Sequence, residues 1–129
     1  MKFKQGQEFT YERSFTKEDV KGFIDLAHYT GRHHEEENQD GEVMIQGLLT
    51  ATLPTSLGGQ YDLLVYQMHY NLTKPVYTGD HIVCRIRVDQ AEEKRGRVYY
   101  KLGFSCKNQK DQEVLSGYLK AIELNFDQG

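Results

Sequence analysis

Residues 44–57, MIQGLLTATLPTSL, are the most apolar stretch of the chain and constrain everything around them. Apolar side chains occur on nearly all sides of this run, which predicts a helix buried all round rather than an amphipathic surface helix. Gly58 or Gly59 is expected to provide a left-handed C-cap. Pro54 breaks the pattern. Inside a helix it removes a hydrogen bond and costs on the order of 3 kcal/mol, so the helix is expected to kink there or end early. A helix this apolar needs a cover, and the residues that follow supply one. Ile82, Cys84, Ile86 and Val88 alternate with Val83, Arg85, Arg87 and Asp89. Val98, Tyr100, Leu102, Phe104 and Cys106 alternate with Tyr99, Lys101, Gly103 and Ser105. This period of two marks half-buried strands. With 63–72 and 114–124 they make four strands, joined by a turn at Lys74-Pro75 and Gly79-Asp80 and by polar hairpin loops at 92–96 and 107–110. The prediction is an α+β domain with an antiparallel sheet wrapped on one central helix.

The N-terminal part adds two elements. Phe9, Tyr11 and Arg13 alternate with Thr10 and Glu12, as in a short strand. Thr16 can then cap a helix, with Asp19 three residues on as a capping-box variant, and Val20, Phe23, Ile24 and Ala27 give one apolar stripe. Residues 31–41 are polar and acidic and read as a surface loop.

Composition excludes several classes. At 129 residues the chain fits a single domain spanning 1–129. The formal charge is -3 and there is no basic block, so nucleic acid is not an expected partner. No apolar run is long enough for a membrane span, and the start, MKFKQGQEFTYERSF, lacks the apolar stretch of a signal peptide. Cys84 and Cys106 lie in strand-like segments and read as small buried hydrophobes of a reducing compartment, which makes the cytoplasm the expected location.

Three motifs then occur in order. Phe15, Thr16, Asp19, Val20, Phe23 and Leu26 fit the pattern F-T-x-x-D-V-x-x-F-x-x-L without a gap. Ile45-Gln46-Gly47-Leu48-Leu49 stands where a helix-opening A-H-G-M-L would fall. Leu72, Pro75, Val76, Gly79 and Asp80 follow F-x-x-P-V-x-x-G-D, with Leu72 in the Phe place. Together these motifs resemble the MaoC-like (R)-specific enoyl-CoA hydratases and dehydratases, over roughly residues 15–124. The resemblance implies a hot-dog fold, a homodimer or higher homo-oligomer, and a substrate that is an enoyl or (R)-3-hydroxyacyl thioester of CoA or acyl carrier protein. It implies no metal or redox cofactor. In the same frame the family histidine falls on His34 and its following acid on Glu36. The backbone N–H that meets the thioester oxygen falls on Gly47.

The departures bear on chemistry. The catalytic aspartate of the family falls on Tyr29, and the histidine before the helix glycine falls on Gln46. Hydration of an enoyl thioester needs a base beside the β-carbon and a donor for the enolate-like oxygen. An imidazole suits proton shuttling near neutrality, whereas a phenol, with an ordinary pKa of about 10, can hold water but not act as the base. Glu35, Glu36 or Glu37 could supply the missing charge. Read by residue type alone, His33 and His34 are solvated loop residues, Gly47 serves close packing, Tyr29 fills core, Asp80 fixes the turn after Gly79, and Arg85 and Arg87 line an exposed strand face. His33 to Glu37 lacks the spacing of a metal site. The resemblance therefore leaves three activities: a hydratase with a degenerate dyad, a non-catalytic acyl-CoA-binding or partner subunit, and a thioesterase of the same fold.

Overall fold

Thr16 caps its helix as the sequence predicts. Its hydroxyl accepts from the Asp19 N–H at 3.1 Å and the Asp19 carboxylate accepts from the Thr16 N–H at 2.9 Å, a complete capping box. The computed structural model describes residues 1–28 and 31–124. Along it run β1 (Glu8–Ser14), α1 (Lys17–Ala27), a short 3-10 turn (Arg32–His34), α2 (Gly47–Gln60), β2 (Leu63–Leu72), β3 (His81–Lys94), β4 (Arg97–Lys107) and β5 (Glu113–Glu123). The five strands form one sheet in the order β1-β3-β4-β5-β2, antiparallel at every junction. This is the hot-dog arrangement: a curved sheet holding α2 against its inner face.

The alternation in β3 and β4 becomes the two faces of that sheet. Ile82, Cys84, Ile86 and Val88 are wholly buried, while Arg85 and Arg87 between them are exposed. Across the register Cys84 faces Cys106 and Ile86 faces Phe104, and α2 brings Leu49, Ala51, Leu53 and Leu57 down onto this surface. Full burial of an aliphatic side chain contributes about 1.5–3 kcal/mol, so this layer holds the helix in place. Cys84 and Cys106 are free thiols. The hydrogen bond between them, and burial after it, push the Cys84 thiol far above its ordinary range. β3 and β4 extend further than the polar composition of 92–96 suggests. They meet at a two-residue turn in which Arg95 and Gly96 both have positive φ, the geometry that matches strand twist.

Three expectations need correction, and the choice left open at Pro54 is narrowed. The central helix is not buried all round: Leu48 is 64% exposed and, with Thr52 and Ser56 at four-residue spacing, forms an open stripe. It neither stops at Pro54 nor ends on a glycine. Pro54 sits buried inside α2, and hydroxyls bond to carbonyls around the place where it offers no N–H: Thr52 to Leu49, Thr55 to Ala51 and Ser56 to Thr52. The helix runs on to Gln60, and Asp62, not Gly58 or Gly59, takes the left-handed conformation after it. Gly58 has a packing role instead, since a Cβ there would lie 3.2 Å from Val65 Cγ2. Finally, the acidic loop is not all surface, because His34 is buried. Gly117 is the most constrained glycine: at φ +155° its missing Cβ would fall 1.8 Å from the His69 carbonyl oxygen, where β5 meets β2.

Candidate active site

The site is built by a segment that folds back on itself. After the 3-10 turn, Asn38 Oδ1 accepts from the N–H groups of Asp40 and Glu42, and Glu37 bridges to Val43. The chain then docks on the segment leading to β3. The Ile45 N–H donates to Val76 O at 2.7 Å, the Thr78 N–H to Val43 O at 2.9 Å, and the Val43 N–H to Thr78 Oγ1 at 3.0 Å. Asp80 holds the turn below. One of its oxygens accepts from the Tyr77 N–H and the other from Gln109 Nε2, both at 2.9 Å, as the turn-fixing reading of Asp80 expects.

This docking presents the Met44 carbonyl to His34, whose Nδ1 lies 2.8 Å from it. A carbonyl oxygen only accepts, so Nδ1 carries the hydrogen, and Nε2 is the basic nitrogen of the neutral ring. The same docking sets the start of α2. Gln46 is the N-cap and makes no side-chain capping bond, so the first-turn N–H groups and the positive end of the helix dipole lie uncapped by that side chain. Gly47 is the first helical residue, and a Cβ there would lie 2.7 Å from Leu72 Cδ1, so the absence of a side chain lets β2 close on the helix start.

His34 and Gly47 line one cavity of about 260 Å³, with Met44, Ile45, Leu72 and Val114 among its walls. The structure therefore brings together two of the four predicted site residues. It does not bring Glu36 to them. Glu36 is exposed and paired with Arg32 at 2.9 Å, because the tight turn sets these residues, four apart, on its outer side. Glu35 and Glu37 border a second cavity on the far side of His34, together with Lys17, Lys21 and Asp25 of α1, and Glu37 is paired with Lys17. Tyr29 lies outside the described residues. Gln46 is buried, with Nε2 3.4 Å from Val20 O, and its Oε1 has no hydrogen-bond partner among the described residues. No group of three or more His, Cys, Asp and Glu side chains is arranged for a metal ion among the described residues. Nor is any described helix long and apolar enough to cross a membrane.

Sequence reasoning missed the Met44 carbonyl, which fixes the His34 tautomer, and the cavity residues Thr50, Thr73 and Lys74. The first carries no side-chain signal. For Lys74 a signal existed: it stands between Leu72 and Pro75 in the third motif, two residues after the one that packs on Gly47.

No protein-family model and no curated protein matches the sequence. Solved structures do match. The unliganded (R)-hydratase PhaJ1 from Pseudomonas aeruginosa superposes with a TM-score of 0.82 at 16% identity, covering 98% of this chain and 90% of that one. The (R)-hydratase from A. caviae involved in PHA biosynthesis gives a TM-score of 0.82 at 18% identity, over 96% of this chain and 98% of that one. The C-terminally truncated HadBC (3R-hydroxyacyl-ACP dehydratase) complex from Mycobacterium tuberculosis gives 0.67 at 14% identity, over 92% and 96%. At these identities what is shared is the fold.

Proposed function

We propose that this chain is a MaoC-like hydratase/dehydratase acting on enoyl and (R)-3-hydroxyacyl thioesters. One observation carries the reading. His34, with its tautomer set by Met44, and Gly47, at the start of α2, line the same small cavity. Similarity of fold to (R)-hydratases and to a 3R-hydroxyacyl-ACP dehydratase supports it.

The chemistry follows from those two residues. The thioester oxygen takes the Gly47 N–H, where the helix dipole favours negative charge. His34 Nε2 removes a proton from water as the oxygen of that water bonds to the β-carbon. The alkene electron pair moves toward the thioester, giving an enolate whose oxygen Gly47 holds. The α-carbon then takes a proton from the imidazolium, restoring the neutral ring. Dehydration runs the same steps backwards. Tyr29, in the place of the family aspartate, supplies a hydroxyl and not a second base. Tyr29→Asp is therefore expected to raise the rate, and a rate that falls would remove Tyr29 from this role.

The working unit is inferred to be a dimer of this chain. β2 is an edge strand among the described residues, and Met68 (49% exposed) and Tyr70 on it face an apolar groove shared with the open stripe of α2 at Leu48. An unpaired, apolar strand edge beside an apolar helix stripe is a self-complementary surface for a second copy. Sedimentation is expected to give about twice the 15.0 kDa chain mass, and a 15.0 kDa species alone at micromolar concentration would remove the dimer.

A second reading rests on Gln46, an amide in the place of a family histidine and buried with an oxygen that has no hydrogen-bond partner among the described residues. It favours a subunit that binds acyl thioesters without turning them over. One assay separates the readings. Crotonyl-CoA is followed by loss of alkene absorbance and by release of free thiol. Loss of absorbance without thiol supports the hydratase, thiol release supports a thioesterase, and binding with neither change supports the non-catalytic subunit.

A further inference from the structure

We infer that Lys74 receives a phosphate of the arm that carries the acyl thioester; the inference rests on the reading above and extends it from the acyl end to the carrier end. The observation is the charge of the cavity. The chain holds 19 acidic and 16 basic residues, yet no carboxylate among the described residues lines the cavity that His34 and Gly47 share. Its ionisable lining is His33, His34 and Lys74, and the helix start adds a positive end. A cavity of about 260 Å³ with mostly apolar walls and this balance of charge suits an apolar group attached to an anion.

Lys74 is the one lysine of that lining among the described residues. It is exposed, two residues beyond Leu72, which packs over Gly47, and it precedes Pro75 in the segment that docks on residues 43–45. Like most of the chain's basic side chains it takes part in no ion pair among the described residues, so its ammonium is not already held by a carboxylate. A pantetheine arm is longer than the cavity and leaves it at an exposed edge. The flexible four-carbon stem of a lysine lets its ammonium follow a phosphate there, in solvent, without the cost of burying either charge.

Two sources of phosphate share this chemistry. One is the 4′-phosphate found on both CoA and a carrier-protein arm. The other is the remaining phosphate groups of CoA. The probes are crotonyl-CoA, crotonyl-4′-phosphopantetheine and crotonyl-pantetheine, the last with no phosphate, measured for binding by calorimetry and for hydration. For crotonyl-CoA, Lys74→Ala is expected to raise Kd and KM about two- to fivefold at low salt, with kcat unchanged and the effect shrinking as salt rises. Lys74→Arg restores binding, and crotonyl-pantetheine is indifferent to both variants. An equal effect on the phosphopantetheine thioester assigns the shared 4′-phosphate, and an effect confined to crotonyl-CoA assigns the others. An unchanged Kd for crotonyl-CoA in Lys74→Ala, or an equal loss with crotonyl-pantetheine, overturns the inference while hydration by the unaltered protein keeps the proposed function standing. Failure of the unaltered protein to bind any of the three thioesters overturns both.

Discussion

His34 is the wall between two cavities of opposite character. On one side lie Gly47, Leu72, Val114 and, among the described residues, no carboxylate; on the other lie Asp25, Glu35 and Glu37 with Lys17 and Lys21. The acidic loop is thus acidic only outward. Glu36 and Glu37 are engaged with Arg32 and Lys17, while the inner side draws its polarity from the Met44 carbonyl, a helix end, two imidazoles and Lys74. The difference teaches that charge density along a sequence is a poor guide to where chemistry is done. Backbone dipoles at fixed positions can serve a cavity that no run of charged residues announces.

The sharpest test of this contrast is His34→Ala against Glu36→Gln. Loss of the imidazole is expected to slow hydration by about 10² to 10⁴-fold, on the order of 3–5 kcal/mol, while Glu36→Gln changes it less than about twofold. A reversal would place the base in the acid loop and undo the comparison. Next is Gly47→Ala. Its Cβ meets the end of a flexible, 61% exposed side chain, so Leu72 can swing aside into the cavity mouth. Hydration is expected to fall on the order of tenfold with little change in Tm, and adding Leu72→Ala should recover most of it. If the double variant is no better than the single one, Leu72 is not what the methyl group displaces.

On the acidic side the expected effects fall on stability. Thr16→Ala removes half of the capping box and should cost about 0.5–2 kcal/mol in urea denaturation, with kcat unchanged. The backbone hydrogen bond from Thr16, ahead of the nearby Arg13, holds the Asp19 carboxyl below its ordinary value of 3.8. A depressed folded-state value means that the contribution of Asp19 is present in full above about 3.8 and is lost as pH falls toward the lower folded value. Asp19→Asn should therefore flatten the acid limb of stability against pH, and an unchanged limb would assign it to other carboxylates. Smallest is Lys17→Ala, which removes an exposed pair with Glu37 and should alter stability by less than about 1 kcal/mol.

The two sides also differed in how far they could be read beforehand. The capping box, the alternation in β3 and β4, and the glycine opening α2 are local patterns, and each appears where the sequence puts it. What could not be read depends on residues distant in the chain. Pro54 stays helical because tertiary packing buries it among carbonyls that neighbouring hydroxyls also serve. Leu48 is apolar but exposed because the stripe it lies on faces away from the sheet, and a hydrophobic pattern gives a face without saying what lies opposite. Glu36 follows its motif position in sequence, but the turn sends its side chain outward to Arg32. For His34 the motif frame outweighed the polar neighbourhood, and the structure buries it against a carbonyl that no pattern of side chains encodes.

The cysteine pair gives this fold an internal clock. Cys84 and Cys106 face one another on the two longest-paired central strands, with no exposed surface on either. A maleimide added to the native protein reaches them when β3 and β4 separate from their cover, not through ordinary side-chain motion. The labelling rate at high reagent concentration therefore measures how often the sheet opens. Compared between the free protein and the protein saturated with thioester, that rate would show how far a ligand at one end of the central helix slows the opening of the sheet wrapped around it.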